Sequence, residues 1–184
     1  MLAVVRNIST SSVLFFAVMY CGLSVSPAQT VEFRINGRIT SNTCELKTPD
    51  THVQLGHWFT HSQSGIGSGI DSVSAAVPFA LEFSCPTGAG VKAKLDGNRY
   101  SPDSQYYIGL DKGENSAKGV VIEVHHEKSS GSWQSVRYDT SVTLISSSSS
   151  GKNNAAMKAF YRQVEPQITG GSGNSSVTMT LEYQ

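Results

Sequence analysis

Residues 77–85, VPFALEFSC, alternate so that Val77, Phe79, Leu81, Phe83 and Cys85 fall on one face of an extended chain. Side chains of a β-strand point to opposite faces with period two, so this face is apolar throughout and carries a thiol into whatever covers it. A sheet with one apolar face buries it against another layer. The same alternation recurs in residues 91–95, which stop at the turn residues Asp96, Gly97 and Asn98. It recurs again near the C-terminus, where Val177, Met179, Leu181 and Tyr183 share a face. Residues 106–110, 120–124 and part of 136–145 read as further strands, and residues 52–56 as a short one. Residues 57–74 are rich in Ser and Gly and read as loop, and residues 146–154 as a polar linker. Residues 155–164 contain good helix formers, yet Met157, Ala159 and Tyr161 fit one strand face, and the β context selects strand. Short strands separated by irregular turns predict an all-β sandwich.

Near the N-terminus, TVEFRINGRIT (residues 30–40) poses a choice between a hairpin and one continuous strand. Asn-Gly is a strong two-residue turn signal. A turn at Asn36-Gly37 would oppose Ile35 to Arg38 and Arg34 to Ile39, mixing charge with hydrocarbon on both faces. Read straight through, Val31, Phe33, Ile35, Gly37 and Ile39 share one face, and Glu32, Arg34, Asn36 and Arg38 the other. The continuous strand keeps the apolar residues together and is preferred; ten residues would span about 33 Å.

With 184 residues the chain is long enough for one domain with a real core. The formal net charge is zero, which gives no reason to expect a polyanionic partner such as nucleic acid. Arg6, an apolar run from Val13 toward Val25, and the small residues of Ser26-Pro27-Ala28 have the layout of an export signal. Residues 1–28 are therefore expected to be removed. Of the three cysteines, Cys21 would leave with them, and Cys44 and Cys85 would pair as a disulfide in an oxidising compartment.

Catalytic chemistry is poorly represented. Gly65-Ile66-Gly67-Ser68-Gly69 fits neither a nucleophile elbow nor a dinucleotide fingerprint and reads as a flexible loop. His57 and His61 lie four apart but on a glycine-flanked segment with no helpful carboxylate, a weak basis for zinc. His125 and His126 are neighbours on a strand and point to opposite faces, so surface or strand-end positions are expected. The expectations are no enzyme, no metal and no small-molecule cofactor.

Taken in order, these segments resemble the pilin subunits of chaperone–usher fimbriae of the type 1 kind. The resemblance rests on residues 31–39 leading to Cys44, on Val53-Gln54-Leu55-Gly56 and on Phe79-Ala80-Leu81-Glu82-Phe83-Ser84-Cys85-Pro86. Lys118-Gly119-Val120-Val121-Ile122 and the closing Leu181-Glu182-Tyr183-Gln184 complete it. Met157 departs from the phenylalanine usual there. The resemblance implies an incomplete immunoglobulin-like β-sandwich, a pilin fold lacking its seventh strand, with residues 29–40 as a donor-strand extension and residues 41–184 as the pilin domain. It further implies that Val31, Phe33, Ile35, Gly37 and Ile39 enter a neighbouring subunit. Val177, Met179, Leu181 and Tyr183 would then border this chain's own groove, with Tyr183 recognised by a chaperone. The implied partners are a periplasmic pilus chaperone, an outer-membrane usher and neighbouring pilin subunits. The implied location is the surface fimbrium, reached through the periplasm. The short extension before Cys44 points to a minor or adaptor pilin, with the major shaft pilin as alternative. A self-complete secreted sandwich that binds carbohydrate through Trp58, Trp133 or Tyr106-Tyr107 is the reading from another class.

Overall fold

The computed structural model describes residues 43–184, and every regular element among them is a β-strand. The expectations for residues 1–28 and for Val31, Phe33, Ile35, Gly37 and Ile39 lie outside the described residues. The strands are β1 (Glu45–Leu46), β2 (Val77–Cys85), β3 (Val91–Asp96), β4 (Val120–Ser129), β5 (Ser132–Ser135), β6 (Val142–Ile145), β7 (Gly151–Gln163) and β8 (Thr178–Tyr183). They form a five-stranded sheet in the order β1-β2-β7-β4-β5 and a three-stranded sheet in the order β6-β3-β8. All of their pairings are antiparallel.

Parity explains the core. On β2, Leu81, Phe83 and Cys85 are buried, with Val77 and Phe79 packed against the same cluster. On β3, Val91, Ala93 and Leu95 are buried, while Lys92 and Lys94 alternate outward. These faces meet between the sheets together with Val124, Met157 and Ala159. Cys44 and Cys85 form the disulfide, with Cα atoms 4.2 Å apart, and tie the entry to β1 to the end of β2. Closing a loop with a sequence separation of 41 stabilises the fold by about 4 kcal/mol on a chain-entropy view.

Four local expectations are corrected. Residues 52–56 carry no strand assignment, because their backbone finds no ladder partner among the described residues. Residues 106–110 form no strand. Ile108 exchanges hydrogen bonds with Ile122 at 2.9 and 3.0 Å on one side and bridges Arg99 on the other, through Gly109 N–H to the Asn98 carbonyl and Tyr100 N–H to the Tyr107 carbonyl, but each pairing stops at a single residue. The linker expected at residues 146–154 is shorter, since β7 begins at Gly151 and pairs Gly151, Lys152 and Asn153 with Cys85, Ser84 and Phe83. Pairing across the sheet overrides the polar local sequence. Finally, His125 and His126 do point to opposite faces, but neither is a surface or strand-end residue. They sit within β4, flanked by β5 and β7.

β4 is buried on both faces. Ile122, Val124 and His126 face the inter-sheet core, and Val121 and Glu123 are buried on the other side. Gly119, just before β4, has φ +79°, and a Cβ there would lie 2.4 Å from the Gln167 carbonyl oxygen. Only glycine permits both the left-handed backbone and that approach.

Candidate functional site: an open groove along β8

The three-stranded sheet ends at β8, which pairs with β3 on one side only among the described strands. Across from its other edge run residues 48–56, the continuation of β1. They too make no backbone–backbone hydrogen bond to the described residues. Among the described residues, N–H and C=O groups without a backbone partner therefore face each other across the opening, where each carries a desolvation cost if covered without a partner. Between them lies a cavity of about 680 Å³, lined by Val53 and Leu55 on one side and by Val177, Met179 and Leu181 on the other. Its floor is the core itself: Leu81 of β2, Leu95 of β3, Ile122 and Val124 of β4, and Ala159 of β7. Among the described residues, the groove is a sandwich core with room left for about one more strand's side chains.

A second cavity of about 510 Å³ continues the first, sharing Val53, Gln54, Leu55, Ile122 and Ser175 in its lining. It is walled by Gly56–Thr60 on one side and the 168–175 loop on the other. Val177, Met179 and Leu181, which alternate along residues 177–183, all line this cavity. Tyr183 lies opposite Val91 at the far end of β8, 38% exposed and outside the cavity lining. Leu46, Leu55 and Ile108, also in the lining, were not singled out from sequence. Their positions in irregular segments carry no signal that they border a cavity, and Val53-Gln54-Leu55-Gly56 reads in sequence only as a short strand and a family motif.

The molecule's buried charges lie elsewhere. Glu123 is 1% exposed. Its carboxylate accepts hydrogen bonds from Arg162 Nε and, at 2.9 Å, from His125 Nε2. Burial pushes the Glu123 carboxyl up, but the hydrogen bonds from His125 and Arg162 and the charge of Arg162 outweigh it and hold the pKa below the usual range. Ser135 Oγ lies 3.1 Å from the same His125 Nε2. A serine nucleophile needs its base to contact serine through one ring nitrogen and the orienting acid through the other. Here one nitrogen meets both groups and Arg162 neutralises the acid, so the trio is wired as a structural brace.

The aromatic residues weighed for sugar binding are dispersed. Trp133 has Lys158 Nζ 4.3 Å from its ring centroid, and Tyr106 and Tyr107 pack edge to face at 4.7 Å. Trp58 is exposed on the loop that closes the second cavity. No three His, Cys, Asp or Glu side chains among the described residues converge to hold a metal.

A sandwich open along one strand, closed by a single disulfide, matches a known group of proteins in sequence as well. A family model described as "Fimbrial protein" matches residues 33–184. The chain belongs to this family. It is 24% identical over 185 residues to the "Probable fimbrial subunit LpfE" of Escherichia coli O157:H7, covering 97% of this chain and 98% of that protein. It is 27% identical over 161 residues to the "Type-1 fimbrial protein subunit" of Serratia marcescens, covering 84% and 86% respectively. In structure it shares the fold of the P pilus rod subunit PapA, with a TM-score of 0.53 and 20% identity, covering 77% of this chain and 99% of that one. The expected immunoglobulin-like pilin sandwich is the fold that forms.

Proposed function

We propose that the chain is a structural subunit inside a chaperone–usher fimbria, assembled by donor-strand exchange. The observation that carries this reading is the groove between β8 and residues 48–56, apolar at its floor and flanked by two unpaired backbones. One extended strand with an apolar face satisfies both demands at once, which is β-strand addition. Residues 29–40 offer such a face in Val31, Phe33, Ile35 and Ile39, with Gly37 as a narrow point among them. Burying each large apolar side chain contributes roughly 1.5–3 kcal/mol. Association costs on the order of 4–15 kcal/mol, so main-chain pairing along β8 is needed as well. The role is assembly rather than catalysis.

Residues 41–184 form the receiving domain in this reading, and residues 29–40 serve the next subunit. Before assembly a periplasmic chaperone covers the groove edge, with exposed Tyr183 as its handle at the end of β8. An outer-membrane usher then passes the subunit to the surface fimbrium. The short stretch from Gln29 to Thr43 before Cys44 favours a minor or adaptor position over the shaft. The test is to purify the chain and titrate it with a peptide of residues 29–40. Binding accompanied by a higher melting temperature supports the reading. A stable monomer indifferent to the peptide, and instead retained by immobilised glycans, would favour the carbohydrate-binding alternative.

A further inference from the structure

The most exposed large apolar side chain among the described residues is Phe59, at 85%, and its neighbour Trp58 is 43% exposed. Two adjacent exposed aromatics form an apolar spot, and contiguous apolar surface is what contact sites use. The pair is also held in place. Trp58 Nε1 donates to the Leu55 carbonyl at 2.7 Å. The 65–68 turn packs so closely behind it that a Cβ on Gly67 would lie 2.9 Å from the Phe59 carbonyl oxygen. On the other side, Thr60 Cγ2 would lie 3.5 Å from a Cβ on Gly170. The tip is therefore a fixed apolar knob at one end of the groove.

Its position relative to an entering strand follows from strand direction. β8 carries a regular ladder with β3, whereas residues 48–56 carry none. Antiparallel pairing is slightly more stable per residue than parallel, so a donated strand aligns antiparallel to β8. It then runs from the Tyr183 end toward the Thr178 end and leaves the groove beside residues 170–175 and the Trp58–Phe59 tip, which line the same cavity. Only Thr40, Ser41, Asn42 and Thr43 separate Ile39 from Cys44 in this chain. Four extended residues reach roughly 14 Å, and a donor with a linker of this length must place its folded body against that end of the groove.

We propose that the Trp58–Phe59 tip is a second contact between consecutive subunits, seating against the folded body of the subunit that donates the strand. This rests on the donor-strand reading and extends the interface beyond the groove. Strand addition alone joins two subunits through a single strand and its short linker, and an aromatic knob at the exit adds a second contact that fixes the angle between them. Aromatic anchors of this kind commonly dominate interface energetics.

The test uses the full chain in assembled fibres, with the photoreactive substitution Phe59→p-benzoyl-phenylalanine and, as groove control, the same substitution at Val177. The expected result is crosslinking from both positions, with the position-59 product mapping to the neighbour's folded body and the position-177 product to its donated segment. Crosslinking from Val177 without any from Phe59, or from Phe59 only to the donated segment, overturns the inference and leaves donor-strand exchange standing. Fibres in which neither position crosslinks to a subunit overturn both. In parallel, Phe59→Ser is expected to speed fibre dissociation in detergent by about tenfold. An unchanged dissociation rate counts against the contact.

Discussion

Leu181→Asp separates the groove's role in holding the domain together from its role in receiving a strand. Leu181 lies on β8 opposite Ala93, half-buried and facing the cavity. While the groove is open to water, an aspartate there keeps much of its hydration, and the domain loses only part of a leucine's burial, about 1 kcal/mol. For a chain of this size that corresponds to a melting shift of roughly 2–4 °C. Once a strand fills the groove, the carboxylate is enclosed beside apolar side chains. The complex then loses about 1.5–3 kcal/mol of leucine contact and incurs several kcal/mol for a buried unpaired charge. A weakening of at least a hundredfold follows, since each 1.4 kcal/mol is a factor of ten. The assay is calorimetric titration with the peptide of residues 29–40, alongside thermal melts of each protein alone. A variant that melts near the parent and binds the peptide within threefold of it would show that the groove is not where the strand goes. A variant that fails to fold would show Leu181 to be a core residue rather than a groove wall, contradicting its half-buried position.

Two further outcomes are expected. Acid should weaken the fold in two stages. Burial pushes the His126 pKa below its ordinary 6.5, outweighing the upward pull of hydrogen-bonding groups on Gln134 and Glu127. The unfolded chain therefore binds a proton first, and stability falls as pH drops below about 6.5 toward the folded value. Glu123, held below its ordinary 4.5 in the folded state, adds a second loss as pH falls through its folded pKa. Urea denaturation of His126→Phe across pH 7.5 to 2.5 should remove the first stage and retain the second; an unaltered profile would contradict the assignment. Tyr183→Ala should reduce co-purification with the periplasmic chaperone, and undiminished recovery of the complex would argue against Tyr183 as its handle.

Strand parity carried most of what the sequence disclosed. Alternation on residues 77–85 and 177–183 anticipated β2 and β8, because a half-buried strand has a strict period of two, although Tyr183 on the same face is exposed at the end of β8. The same rule put Cys85 in the core and so agreed with its pairing to Cys44. Parity said nothing where structure depends on absent or distant partners. Residues 52–56 look like a strand, and their Val53 and Leu55 do face the apolar groove, but no described neighbour completes a ladder with them. β5 reads Ser-Trp-Gln-Ser and carries no apolar alternation, so it is visible only as the partner of β4. The groove itself was legible through family resemblance rather than through pattern, since a missing strand leaves no residues to read. Burial of His126 was missed because a histidine beside solvent-facing Lys128 looks like surface until β5 and β7 close over it.

The most direct measurement asks whose strand fills the groove. Met179→Cys, on the groove wall, is combined in turn with Phe33→Cys, Ile35→Cys or Ile39→Cys. Fibres assembled from this chain alone are oxidised and run on a non-reducing gel. Donor-strand exchange predicts that at least one combination gives a ladder of covalently joined subunits, collapsing to monomer on reduction. Fibres that assemble yet show no ladder from any combination, or a disulfide formed only within single chains, would contradict it.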